Sequence, residues 1–288
     1  MSRSAVVFGA GGQLGIELVR ELKQRRYAVT AWDRAQVDIA DTAAVERALT
    51  GCEADVVFNA AAYNQVDVAE KEPLAAFQVN ALAVRNLALG CRQVDIQLVH
   101  FSTDYVFDGS ARQPYVEEDL PRPLGAYAVS KLAGELYARA YLDNALIVRT
   151  SGVFGPGGTA TARGNFVELM LRLAASSNAI RVVEDHVASP TYAPPLASRT
   201  IDLVERRLMG IYHIGGGYPI SWFEFARLIF ETAGLQPKLV ATDEREYRTP
   251  ARRPRYSALS NGKMERAGLP PMPPLRDALA DYFARRGR

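Results

Sequence analysis

Through the first half of the chain, short apolar runs alternate with segments spaced like helices. "SAVVF" (4–8), "YAVTAW" (27–32), "ADVVFNA" (54–60), "DIQLVHFS" (95–102) and "ALIVRTS" (145–151) have the length and texture of strands, and between them 14–25 and 75–93 repeat apolar residues every three or four positions. Strict alternation forces parallel neighbours, because each helix must carry the chain back across the sheet before the next strand begins. The runs are apolar on both faces, so helices cover both sides.

The first strand runs into "VVFGAGGQLGIELV", with glycines at 9, 11, 12 and 15. A tight turn, a close backbone approach to a pyrophosphate and a tight helix–strand contact each need a missing side chain, and this spacing supplies all three. Gln13 and Leu14 complete the loop, and roughly 20 residues on, at the end of the second strand, Asp33 is placed to accept from a ribose hydroxyl. Arg34 beside it suits a 2′-phosphate instead, so NADPH and NADH both stay open as cofactor. The same cleft is expected to take in Asp38 and Ile39, the small residues Ala60, Ala61 and Ala62 of "NAAAY", and Asn80. The expected fold is therefore α/β, a Rossmann-type doubly wound parallel sheet.

After residue 151 the texture changes. Gly and Pro gather at 152–165, 189–195 and 268–274, helical spacing persists at 166–177, 196–208, 221–233 and 275–286, and one short strand is expected at 210–216. This predicts an NAD(P)-binding Rossmann domain over 1–151. Residues 152–288 read mainly as a smaller, irregular substrate-binding lobe, with segments near 185–215 returning to the first domain. A net charge of +2 argues against a nucleic-acid partner, and no apolar run is long enough to span a bilayer. Cys52 and Cys91 share no metal spacing and are too few for a disulfide framework, which points to a reducing, cytoplasmic setting.

The chain holds 13 tyrosines but only five lysines, and "GAYAVSKLAGE" sets Tyr127 and Lys131 one helical turn apart on a common face. A cation beside a phenol favours its ionised form, which makes tyrosine a workable acid and base near neutrality. Thr103, in "HFSTDYVFDG", ends a strand at the sheet edge where ligands bind, and its hydroxyl suits a hydrogen bond to a reacting oxygen. Thr103, Tyr127 and Lys131 are the expected catalytic set, with Tyr127 and Lys131 also touching the cofactor. His100 and His213 lie within apolar strands and read as satisfied core histidines.

A GxxGxxG loop, a Ser/Thr at a strand end and YxxxK on a helix resemble the extended short-chain dehydrogenase/reductase superfamily. Within it, "GAGGQLG", "NAAAYNQVDVAEKEP", "VNALAVRNLA", "STDYVFDG", "AYAVSKLAGE", "IVRTSGVFG", "GNFVELML", "SPTYAPPLA", "GIYHIGG", "SWFEFARLIF" and "ARRPRYSAL" resemble, in order, blocks of the dTDP-4-dehydrorhamnose reductase family. The resemblance implies NAD(P)H-dependent reduction of the C4 keto group of a nucleotide-linked 6-deoxy sugar. It also implies Asp104, Tyr105 and Gly152 at the sugar, and Asn165 with Arg252 or Arg253 at the nucleotide diphosphate.

Departures from the family pattern bear on the sugar. Gly152 stands where tryptophan is usual, Asn64 and Gln65 replace smaller residues, Val68 replaces lysine, and His186 replaces glutamine. Glu17 matches a position at which some relatives bind Mg²⁺ at a dimer interface, but Pro194 and Pro195 stand near where a second carboxylate would be needed, so no metal is expected. A homodimer stays open. A dehydratase of the superfamily needs an Asp-Glu pair where this chain has Asp104 and Tyr105. A 4-epimerase using the same Tyr127 and Lys131 remains an alternative, as does a non-catalytic regulatory subunit like the beta subunit of methionine adenosyltransferase.

Overall fold

The computed structural model describes residues 3–161, 164–176 and 179–286. β1 (Ser4–Phe8) is fully buried at Val6, Val7 and Phe8, as a strand covered on both faces must be. It leads into α1 (Gln13–Gln24), which turns Leu18 and Leu22 inward, then β2 (Ala28–Trp32), α2 (Thr42–Thr50) and β3 (Val56–Asn59). A single turn, α3 (Val66–Ala69), precedes α4 (Pro73–Phe77), a π-helical turn (Gln78–Leu82) and α5 (Ala83–Gln93), which run on as one 21-residue helix. Its length and composition would suffice to cross a membrane, but Val84, Leu87 and Cys91 are buried in the core against the sheet. β4 (Gln97–Thr103), α6 (Ala126–Tyr141) and β5 (Leu146–Thr150) complete the first half.

The second half opens with a 3₁₀ turn (Pro156–Ala160) and α7 (Phe166–Ser176), while residue 177, the last of the expected helix, lies outside the described residues. β6 (Ile180–Val183), β7 (Val187–Ala188), α8 (Ala193–Glu205) and β8 (Gly210–His213) follow. α8 starts three residues before the expected 196, because Pro194 and Pro195 fit a first turn, where a missing N–H costs nothing. β9 (Ile220–Ser221), α9 (Trp222–Ala233), β10 (Leu239–Thr242), α10 (Gly262–Arg266) and α11 (Leu275–Arg285) close the chain.

Six strands form one parallel sheet in the order β2-β1-β3-β4-β5-β8. The order reverses between β1 and β3, which leaves a crevice beyond their carboxyl ends. One face of the sheet packs under α1 and α8, the other under α2, α5 and α6. A separate core of Phe154, Val167, Phe225, Ile229 and Tyr282 sits among α7, α9 and α11, beside the small β6–β10 sheet. β6 and β10 were not expected from sequence. Each has four residues and pairs with the other across a stretch of chain that contains α8, β8 and α9, so neither carries a local signal of its own.

His213 fits its expected place: it is fully buried, Nδ1 lies 3.0 Å from the Tyr115 carbonyl, and burial together with the Arg149 cation pushes its pKa down to about 3. His100 is only half satisfied. Its Nδ1 meets the Asn59 amide nitrogen at 3.1 Å, but Nε2 is buried with no hydrogen-bond partner among the described residues. Burial, and secondarily the Lys131 charge, hold it well below its ordinary pKa.

Candidate active site

The crevice at β1 and β3 is a cleft of about 710 Å³. Gly9 has φ +73°, and a Cβ there would stand 2.5 Å from the Ala61 backbone nitrogen. A Cβ at Gly15 would lie 2.2 Å from the Gly9 carbonyl oxygen, so Gly15 serves helix packing and does not line the cleft. α1 begins with no side-chain cap and no acidic residue in its first turn, leaving unpaired amides and the positive end of the helix facing the crevice. These features fit a dinucleotide pyrophosphate.

Gly9, Gly11, Gly12, Gln13 and Leu14 line the cleft, with Asp33, Arg34, Asp38 and Ile39 at one end and Ala60, Ala61 and Ala62 along its floor. Asn64 and Gln65, which depart from the family pattern, lie here as well. The Asp33 carboxylate accepts from the amides of Ala35 and Gln36, and Arg34, largely exposed, pairs with Asp38 at 3.2 Å. Asn80 differs from expectation. It is 1% exposed and spends its amide on the backbone of Tyr63 and on Ser130, so it shapes the cleft wall from behind. Glu17 is buried, pairs with Arg20 at 2.9 Å and accepts from the Gly157 amide.

β4 delivers Thr103 to the sheet edge, where its hydroxyl accepts from the Tyr105 amide and donates to Asp104 Oδ1, both at 3.2 Å. α6 begins beside it with Gly125 as cap residue, and the Glu70 carboxylate accepts from the Ala126 amide at 2.7 Å. Tyr127 sits in this first turn, its ring edge-on to Tyr105 at 6.1 Å between centroids. One turn on, Lys131 is 3% exposed and donates through Nζ to the Phe101 carbonyl at 2.5 Å. Burial lowers its pKa to about 8, with Glu135 opposing. Glu135 is already engaged: it accepts from Arg149 at 2.7 Å and from Ser102 at 2.5 Å, all three buried.

A second cleft, of about 650 Å³, opens between the sheet edge and the smaller core. Tyr105, Phe166, Met170, His186 and Trp222 line one part of it, and six arginines line another. Of these, Arg253 is committed to Asp67 at 2.7 Å, Arg255 to Glu244 at 2.8 Å, and Arg181 to Glu246. Arg245, Arg248 and Arg252 form no ion pair among the described residues. Tyr105 and Arg252 also line the recess that holds Tyr127, so they join the catalytic edge to this cleft.

Two expected ligand contacts are otherwise engaged. Asp104 is 3% exposed and lies behind the cleft wall, because three hydroxyls occupy its carboxylate. Asn165 donates to Gln13 Oε1 at 2.8 Å and accepts from the Glu168 amide at the start of α7, which ties the two halves of the molecule together.

Gly152 has φ +49°, and a Cβ there would come within 2.9 Å of the Trp222 ring. The indole of Trp222, the first residue of α9, thus occupies the space over Gly152. Sequence reasoning missed Trp222, along with Phe166, Arg245 and Arg248. The only local signal was an indole directly after the capping Ser221, and nothing in the sequence tells that this helix end meets Gly152, just past β5.

Residues 3–287 match the model of the family described as RmlD substrate binding domain. The chain is 41% identical to the spore coat polysaccharide biosynthesis protein SpsK of Bacillus subtilis, over 98% of this chain and 97% of that protein. It is 40% identical to the dTDP-4-dehydrorhamnose reductase of Mycobacterium tuberculosis, over 98% and 93%. The crystal structure of dTDP-4-dehydrorhamnose reductase from Bacillus anthracis in complex with NADP superposes with a TM-score of 0.93 at 34% identity, covering 99% of both chains.

Proposed function

This chain belongs to the RmlD substrate binding domain family, and from that premise we propose that it is an NAD(P)H-dependent reductase of the C4 keto group of dTDP-4-dehydrorhamnose, yielding dTDP-rhamnose. The observation that carries the reading is the junction at Tyr105 and Arg252. These two residues line both the cationic cleft, suited to a nucleotide diphosphate, and the recess of Tyr127. The smaller half of the molecule is the substrate-binding lobe in this reading.

A bound nicotinamide supplies hydride to the carbonyl carbon. The chain's own residues do the rest. The uncapped start of α1 and Gly9 to Gly12 hold the pyrophosphate, and Asp33 or Arg34 holds the adenosine ribose or its phosphate. Tyr127 donates the proton to the developing alkoxide, and Lys131, cationic below about pH 8, favours the phenolate that remains. Thr103 hydrogen-bonds the oxygen at the reacting carbon. Arg252, with Arg245 and Arg248, binds the diphosphate, because Arg253 is held by Asp67. Trp222 forms the wall over Gly152, which supports an enzyme over a non-catalytic subunit. A cytoplasmic setting agrees with two free cysteines, of which Cys91 is buried with its thiol pushed up to about 12.

The test is to mix the protein with NADPH or NADH and dTDP-4-dehydrorhamnose made in situ and to follow the absorbance of the reduced nicotinamide. Consumption is expected; nucleotide binding without turnover would reject the reductase. Tyr127→Phe is expected to lower kcat by about 100-fold or more with cofactor affinity within about 2-fold, since only the proton donor is lost.

A further inference from the structure

We infer that Trp222 is the residue that selects a 6-deoxy sugar: its indole is the apolar wall against which the methyl-bearing face of the sugar packs, between Tyr127 and the arginines of the second cleft. This deepens the function proposed above and rests on it. Trp222 begins α9, in the smaller half of the molecule, yet its six-membered ring reaches the edge of the large sheet. Its Cη2 and Cζ2 atoms lie 2.9 Å and 3.6 Å from where a Cβ on Gly152 would stand, two residues past Thr150, the β5 partner of Thr103 across the sheet. Trp222 lines the second cleft together with Tyr105, and Tyr105 also lines the recess of Tyr127. A sugar nucleotide with its diphosphate at Arg245, Arg248 and Arg252 and its carbonyl at Tyr127 passes beside this indole.

The indole is held in place. Its residue's amide donates to the His186 carbonyl at 3.1 Å, Ser221 caps the helix that carries it, and the rings of Phe166 and Phe225 pack at 4.7 Å and 6.1 Å between centroids. Gly152 leaves room for it, since a φ of +49° and the 2.9 Å approach both exclude a side chain there. A ring fixed from behind is a preformed surface, and little conformational freedom is lost when a ligand covers it. The chemistry of that surface decides what packs on it. The edge turned to the sheet is carbon, because Cη2 and Cζ2 belong to the six-membered ring and the N–H to the other. A methyl group is removed from water there at no polar cost. A hydroxymethyl group in the same place loses its hydration and finds no partner on carbon. Trp222 thus favours the sugar that lacks a 6-hydroxyl, whatever the state of C4.

Two ligands that differ only at C6 test this: dTDP-rhamnose and dTDP-L-mannose, its 6-hydroxy counterpart. Their Kd values are measured by calorimetry on the full chain with NADP⁺ bound, beside that of dTDP alone. The wild-type protein is expected to bind dTDP-rhamnose about 10-fold or more tightly than dTDP-L-mannose. Trp222→Ala is expected to weaken dTDP-rhamnose by about 10-fold and to bring the two sugars within about 3-fold of each other, while dTDP and NADP⁺ stay within about 2-fold of wild type. A wild-type protein without the preference, a preference that survives in Trp222→Ala, or a loss shared equally by dTDP overturns the inference. Should Trp222→Ala fail to fold, Trp32→Phe decides, because it leaves Trp222 as the one tryptophan in the chain. Its emission is expected to shift with dTDP-rhamnose and not with dTDP, and the same response to both overturns the wall. If Trp222→Ala keeps the preference while the wild-type protein reduces dTDP-4-dehydrorhamnose, the proposed function stands and only the role of Trp222 falls. If the wild-type protein binds none of the three ligands, the reading of the second cleft as a sugar-nucleotide site fails, and this inference with it.

Discussion

Lys131 and Gly152 are the residues whose surroundings make the sharpest demands. Burial lowers the lysine from its ordinary 10.5 to about 8. Between those values the unfolded chain binds more protons than the folded one, so this group adds stability as pH rises from about 8 towards 10.5 and costs stability below. Activity runs the other way. The ammonium is the form that helps Tyr127, so kcat is expected to fall as pH rises through about 8, measured across an alkaline titration at saturating substrate. A rate still rising at pH 9 would remove Lys131 from the chemistry. At Gly152, a methyl group meets both a left-handed backbone and the Trp222 ring at 2.9 Å. Gly152→Ala is expected to cost about 1–3 kcal/mol, read as a lowered Tm, and to raise the sugar-nucleotide KM more than the NADPH KM. The glycine itself was legible as a departure; the tryptophan that answers it was not, because 70 residues of chain separate them.

At the scale of elements, the start of α6 depends on a carboxylate from elsewhere. Gly125 brings no capping side chain, and Glu70, just past α3, accepts from the Ala126 amide in its place. Removing that acceptor loosens the turn that carries Tyr127. Glu70→Ala is expected to cost about 1 kcal/mol in thermal or denaturant unfolding and to lower kcat with little change in cofactor affinity. Equal losses in cofactor and substrate affinity, with kcat intact, would show that the cap does not reach the chemistry. The helix α6 was readable from its own pattern, whereas its cap was not, since Glu70 and Ala126 meet only in the folded chain. The π turn at Gln78–Leu82 is similar. Its residues read as ordinary helix, yet Asn80 within it holds the backbone of Tyr63 behind the cofactor cleft.

For the whole molecule, the two halves meet where Gln13 of the glycine loop donates to the Val153 carbonyl and accepts from Asn165. The glycine loop, proposed to hold the pyrophosphate, is thereby joined to the half proposed to hold the sugar nucleotide. NADPH at about 100 times its Kd is expected to stabilise the protein by about 2.7 kcal/mol, seen as a rise in Tm, and Gln13→Ala should shrink that rise by weakening affinity. An undiminished shift in the variant would separate the junction from cofactor binding. The alternation of strands and helices, the glycine spacing after β1, the acid after β2 and the Tyr127–Lys131 pair could all be read from the sequence, because each is a relation between residues a few positions apart or a repeat of one local pattern. The tertiary structure alone decided that Trp222 covers Gly152, that Arg253 is taken by Asp67 while Arg252 forms no ion pair among the described residues, and that Asp104 lies behind the pocket instead of in it. Those outcomes are set by which distant side chain arrives first at a shared space or a shared charge, and no local spacing encodes that competition.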